Sequence, residues 1–298
     1  MYQNWIYILL AAFVLTACGP EAPQEPETGE APETSETAAT EPATEPAEES
    51  RLTVAERIDE ALAGEHRSSK NASRDNWRHP KETLLFFGLE PDMTVVEIYP
   101  GGGWYTEVLA PVSRDEGHLV AAHFNPDGSD YRERSYNNYI DKLEEHPDVY
   151  DNVEVISIGG GEELSLGEPE SADMVLTFRN MHSFTSAGEE ENFFAAAHNV
   201  LKPNGILGVV QHRADEGADP MKSVKNGYLP EAFVIEKAEA AGFKLDDRAE
   251  INANPDDTHD HPEGVWTLPP SLRLGDEDRE KYEAIGESDR MTLRFIKT

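Results

Sequence analysis

One stretch of the chain joins a carboxylate to a glycine turn. Residues 95–110 read VVEIYPGGGWYTEVLA: an apolar strand reaching Glu97, then Gly101, Gly102 and Gly103, then a helical run. Glycine lets a backbone turn sharply and lets a ligand approach it closely. The helix that follows starts with unpaired N–H groups, which in dinucleotide sites face a pyrophosphate. The spacing here is not G-x-G-x-x-G, because Tyr99 stands at the first glycine position.

Other polar groups follow apolar runs. Arg179, Asn180 and His182 come directly after residues 174–178, MVLTF. In doubly wound folds, ligands bind beyond the carboxyl ends of such strands. His182 can serve as a proton acceptor, or with Asn180 it can hydrogen-bond the loop; histidine is common in both roles. His212 and Arg213 end the next strand on the same side. Arg213 can hold a carboxylate bidentately, or pair with one of the chain's many acids. Residues 256–261, DDTHDH, are rich in ligand atoms, but no second cluster or helical spacing matches them, so no metal is assigned.

The elements that must carry these groups alternate. Strands are predicted at 94–99, 119–124, 153–158, 174–178, 206–211, 243–252 and 291–296. Helices are predicted at 53–64, 80–87, 104–113, 131–145, 189–201 and 230–241. Thr53 followed by Glu56 suggests a capping box, and Pro80 at a first helical position opens the second helix. Strands separated by helices imply an α/β fold with a mainly parallel sheet, closed by an antiparallel pair. Trp77, His79, Arg74 and Arg78 lie in a polar segment before the first core strand, where a cover over the site or a plain connector are both open.

The formal net charge is −34, and residues 19–50 hold ten Glu and no Lys or Arg, which leaves −24 for the rest. Such a surface repels phosphate backbones, so nucleic acid is not an expected partner. Residues 5–17 are uncharged and apolar, long enough for a signal-peptide core and short for a membrane span. They end at the one cysteine of the chain, Cys18, within LTACG, which resembles a bacterial lipobox. That resemblance implies a cleaved signal at 1–17, lipidation of Cys18, and, with Gly19 following, a place on the periplasmic face of the outer membrane. Several acyl chains give stable anchoring. Residues 18–50, proline- and glutamate-rich without aromatics, read as a disordered tether, leaving 51–298 as the folded domain.

The order of motifs resembles class I S-adenosylmethionine-dependent methyltransferases over residues 53–298. Glu97, Gly101 and Gly103 match the acidic-x-G-x-G-x-G turn. SADMVLTFRNMHSF resembles the fourth strand and its polar loop, LKPNGILGVV the turn into the fifth strand, and EAFVIEKAEAAGF the late helix. The stretches WRHP, HPEGVWTLPP and GESDRMTLRF resemble a group of uncharacterised bacterial predicted methyltransferases.

The resemblance implies a Rossmann-like, doubly wound, seven-stranded mixed sheet with helices on both faces. It implies S-adenosylmethionine as cofactor and a small-molecule acceptor. Glu97 would contact the methionine end, and Gly101, Gly102 and Gly103 would underlie the cofactor. Tyr105, with Trp104 at the same turn, would stack on cofactor or substrate or else pack in the core, the commoner fate of such aromatics. At the end of the second strand the family carries an acid for the ribose; His123 stands there, and a neutral imidazole lacks a carboxylate's paired acceptors. Glu162 is the nearest acid after the third strand. His182, Asn180 and Arg179 would face the transferred methyl group, and His212, Arg213, Trp77 and His79 the acceptor. The second reading, from another class, is a membrane-anchored periplasmic binding or scaffold protein that kept the fold without the chemistry.

Overall fold

The strongly apolar runs at 95–98, 119–122, 174–178 and 207–210 become the central strands of one sheet. The structure, a computed structural model, describes residues 51–159 and 164–298. Cys18, the signal and the tether, and Glu162 lie outside the described residues. The strands are β1 (Thr94–Ile98), β2 (His118–Phe124), β3 (Val153–Ile158), β4 (Ala172–Phe178), β5 (Leu201–His212), β6 (Phe243–Ala249) and β7 (Arg290–Lys297). Their order is β3-β2-β1-β4-β5-β7-β6, parallel except for β7, which runs antiparallel to both neighbours. This is the expected seven-stranded mixed sheet.

The helices are α1 (Val54–Ala63), α2 (Ser69–Ala72), α3 (Asp75–Arg78), α4 (Pro80–Phe87), α5 (Thr106–Ser113), α6 (Asp130–Glu145), α7 (Pro147–Tyr150), α8 (Met181–Ala187), α9 (Glu190–Val200), α10 (Pro220–Ser223), α11 (Glu231–Ala240) and α12 (Arg279–Ile285). Alternate residues of each strand feed two cores, as the pleat requires. Val96, Ile98 and Val175 pack with Phe184, Phe193 and Val234 of α8, α9 and α11. Val95, Met174 and Leu176 pack with Ile58, Leu84 and Val108 of α1, α4 and α5 on the opposite face. The Thr53 and Glu56 capping box is formed at the start of α1.

Short helices α2, α3, α7 and α10 fall where the sequence reading gave none, β5 begins five residues earlier than expected, and two further regions bear on the site. The stretch after β4 is not a loop but α8, a seven-residue helix. Its buried Met181, Phe184 and Thr185 fall at helical spacing, but so short a run with a polar start gives little periodic signal. The connection from β6 to β7 is a 40-residue excursion, residues 250–289, which folds back over the carboxyl ends of the strands. No helix among the described residues is long and apolar enough to cross a membrane.

Candidate active site

The strand order reverses between β1 and β4, and a cavity of about 300 Å³ lies at their carboxyl ends. A crevice at such a switch point is the usual ligand site of an open α/β sheet. The β1 side supplies Glu97, Gly101, Gly102, Trp104 and Tyr105, and the segments after β4 and β5 supply Arg179, Asn180, His182 and His212. The N-terminal segment adds Asn71, Arg74 and Arg78, and the 250–289 excursion adds Trp266, Pro270, Glu287 and Ser288.

The turn after β1 is bent by left-handed backbone at Tyr99 (φ 45°), Gly101 (φ 59°) and Gly103 (φ 72°). A non-glycine residue in that region costs energy that the surroundings must offset, and such residues cluster at ligand sites. Tyr99 is held by ring packing on Phe124 (4.2 Å) and Phe184 (5.1 Å). A Cβ placed on Gly101 or Gly102 would meet nothing within 4 Å, so this backbone borders open space. Gly103 differs: a Cβ there would come 3.0 Å from the Tyr139 ring of α6. Gly103 is needed for helix packing and does not line the cavity.

Glu97 is buried, and it accepts a 2.6 Å hydrogen bond from Thr106 Oγ1 at the first turn of α5. Burial pushes its carboxyl up to about 7, against the opposing pull of the Thr106 bond and the Lys142 charge. Lys142 of α6 donates to the Gly102 and Gly103 carbonyls (3.1 and 3.2 Å) and pairs with buried Glu107. Tyr105 stacks on Phe178 with ring centroids 3.4 Å apart.

Asn180 donates 2.8 Å to the Ile98 carbonyl and so ties the exits of β1 and β4 together. Arg179 has left-handed backbone (φ 65°), and its guanidinium makes no hydrogen bond or ion pair among the described residues. Burial lowers it to about 10, with Glu287 opposing and the Arg74 and Arg290 charges adding to the effect. His182 is lowered to about 4 by burial, so its imidazole is neutral near pH 7. His212 is also pushed well below its usual range by burial, and its Nδ1 lies 2.5 Å from Ser288 Oγ.

Five residues read from the sequence as cofactor or substrate contacts lie outside the cavity lining. Gly103 is one. His123 is fully buried behind the turn, its Nε2 3.2 Å from the Gly101 carbonyl oxygen and its ring against Tyr136 and Tyr139. The alternation of β2 turns His123 into the α6 packing and brings Phe124 to the cavity. Arg213 is bound bidentately by Asp289 (2.8 and 3.0 Å) and by Glu250 (3.0 and 2.7 Å), which leaves it no free fork for a substrate. Trp77 packs its ring against Gly286, and His79 occupies the left-handed junction of α3 and α4.

Sequence reasoning missed Glu287, Ser288 and Trp266 as cavity residues. Each comes from the excursion between β6 and β7, whose path no local pattern specifies. The 256–261 stretch forms a structural staple: Asp257 accepts from Tyr228 Oη (3.1 Å), His261 Nε2 (2.8 Å) and the Asp289 backbone N–H (2.8 Å). No group of side chains able to hold a metal occurs among the described residues.

No protein-family model matches the chain, and no curated protein matches it. Solved structures do. A SAM-dependent methyltransferase from Aquifex aeolicus superposes with a TM-score of 0.52 at 17% identity, over 82% of this chain and 98% of that one. Geranyl diphosphate C-methyltransferase from Streptomyces coelicolor A3(2) gives 0.52 at 13% identity, over 80% and 87%. The cyclase SpnF gives 0.52 at 15% identity, over 82% and 92%. The chain has the class I fold of S-adenosylmethionine-dependent methyltransferases.

Proposed function

We propose that this cavity binds S-adenosylmethionine and that the chain transfers its methyl group to a small-molecule acceptor. One observation carries the reading. Buried Glu97 and the open backbone of Gly101 and Gly102 form a cradle at the switch point, where a cofactor can lie against main chain with no side chain between. Bound S-adenosylmethionine would supply an electrophilic methyl group on a sulfonium.

The residues of this chain divide the remaining work. Glu97, with its carboxyl near neutrality, gains charge beside the cationic amino end of the cofactor and holds it there. Phe124, which ends β2, and Tyr131 of α6 offer aromatic faces to the cavity, with Tyr99 packed behind on Phe124 and Phe184. Contact with the nucleoside end is therefore by stacking, in place of the family's carboxylate. Methyl transfer is an in-line displacement that needs alignment, a dry pocket and a place for the acceptor's proton. His182 lines the cavity in the neutral form and receives that proton. Asn180 keeps the β1 and β4 exits in register, a positioning role.

The aromatic β2 end also favours a second reading, ligand binding without methyl transfer, and SpnF, a cyclase, shows that the fold alone does not set the reaction. Calorimetric titration of the full chain with S-adenosylhomocysteine tests the first. Saturable binding that Gly102→Val abolishes supports it. Gly102 has no left-handed backbone and open space at its Cβ, so valine there fills the cradle without straining the fold. No heat at millimolar ligand would remove it.

The proposed address is the periplasmic face of the outer membrane, through lipid on Cys18. Its support is the LTACG motif behind an apolar run. Metabolic labelling with palmitate should mark the wild-type chain and spare Cys18→Ser; equal labelling of both contradicts the anchor.

A further inference from the structure

The chain is acidic, yet its cavity is not. Arg74, Arg78 and Arg290 converge on one carboxylate, Glu287, at 2.7, 2.9 and 3.1 Å. All three of these arginines and the buried Glu287 belong to one cluster that carries more positive than negative charge. Both terminal nitrogens of Arg78, itself 1% exposed, are buried with no hydrogen-bond partner, and so is one of Arg74. Arg179 adds a further guanidinium without a partner among the described residues.

A buried positive charge without a counter-ion is costly, and several together repel. A formal charge of −34 means that carboxylates are abundant in this sequence, yet few face this site. The arrangement makes sense when a ligand brings the missing negative charge. Guanidinium forks match carboxylate and phosphate oxygens bidentately. Cavity walls of low dielectric concentrate the local field even within an acidic protein.

The geometry points to a methyl acceptor that is a small oxyanion, with its carboxylate or phosphate held by Arg179 and faced by Arg74 and Arg78. This rests on the methyltransferase reading and names the class of its substrate. Arg179 stands at the end of β4, three residues before His182, and its neighbour Asn180 reaches the Ile98 carbonyl of β1. The anion site therefore adjoins the cradle assigned to the cofactor, and the titration must separate an acceptor's anion from the cofactor's own carboxylate.

The test uses the full chain with S-adenosylhomocysteine present, titrated with inorganic phosphate and, separately, with benzoate. At least one anion should bind saturably, and which one binds separates phosphate from carboxylate recognition. Arg179→Gln should weaken that anion by about tenfold or more, the loss expected for a charged hydrogen-bonded pair. Arg179→Lys should retain part of the affinity, and both variants should keep S-adenosylhomocysteine affinity within about threefold. Failure of both anions to bind the wild type overturns the inference while leaving the cofactor reading intact. Equal loss of S-adenosylhomocysteine and anion in Arg179→Gln, with an unchanged unfolding midpoint, also overturns it, because Arg179 would then serve the cofactor's own carboxylate. Should S-adenosylhomocysteine fail to bind while an anion binds through Arg179, the methyltransferase reading falls and the oxyanion site stands.

Discussion

Arg179 and Arg213 leave neighbouring strands at the same edge of the sheet, and their charges meet opposite fates. Arg213, after β5, is gripped by Asp289 and Glu250, with Glu231 3.7 Å away. Glu250 and Asp289 hold its guanidinium well above the usual range, while His259 and Arg213 pull Asp289 below the usual carboxylate range against its burial. Arg179, after β4, has no such partner among the described residues and is lowered by burial. One arginine is spent on joining the 250–289 excursion to the sheet. The other is left available to a ligand. Composition cannot distinguish them, because both follow an apolar strand in a chain rich in acids.

Loss of the structural arginine has the largest expected effect. Arg213→Ala should lower stability by roughly 3–5 kcal/mol, because Asp289 would stay largely buried without its main partner. Chemical denaturation measures this. A loss under about 1 kcal/mol would mean that the excursion is held by its apolar contacts and the Asp257 staple instead.

Glu97 sharpens the contrast from the acidic side, since it too lies in the cavity without a close ion-pair partner. Its carboxyl is raised from 4.5 to about 7, so the folded chain binds a proton that the unfolded chain releases between those values. Its contribution to stability is therefore present below about pH 4.5 and is lost as pH rises through about 7, on the order of 3 kcal/mol. Glu97→Gln should flatten that part of the stability profile and be the more stable form above pH 7. An unchanged profile would show that Glu97 is ionised in the fold. His182, lowered to about 4, acts in the opposite sense: its contribution is full above about 6.5 and is lost as pH falls towards 4. The smallest stability effect belongs to Arg179→Gln, within about 1 kcal/mol of wild type, since no side-chain hydrogen bond or ion pair among the described residues is removed.

Much of the fold was legible because its signals are local. Apolar runs of β1, β4 and β5, the Thr53 capping box and Pro80 at the start of α4 each report their own element. The glycine turn was legible for the same reason, since three consecutive glycines after an apolar run mark a turn locally. Side-chain direction was less so. His123 and Phe124 are adjacent in β2, and a single step of the pleat decides which one meets the cavity. Glu287 carries no local signal of its place in the cavity; its partners Arg74 and Arg78 lie 213 and 209 residues away, a closure that no spacing rule reveals. Gly103 matched the motif for a reason of packing against Tyr139.

The central claim is that the cradle of Glu97 and the glycine turn holds the amino end of S-adenosylmethionine. Calorimetric titration with S-adenosylhomocysteine at pH 7, in buffers of different ionisation enthalpy, tests it most directly. A carboxyl with its midpoint near 7 that becomes charged on meeting the ligand's amine should release roughly half a proton, and Glu97→Gln should release none. Absence of binding, or binding with the same proton release in Glu97→Gln, would contradict the account.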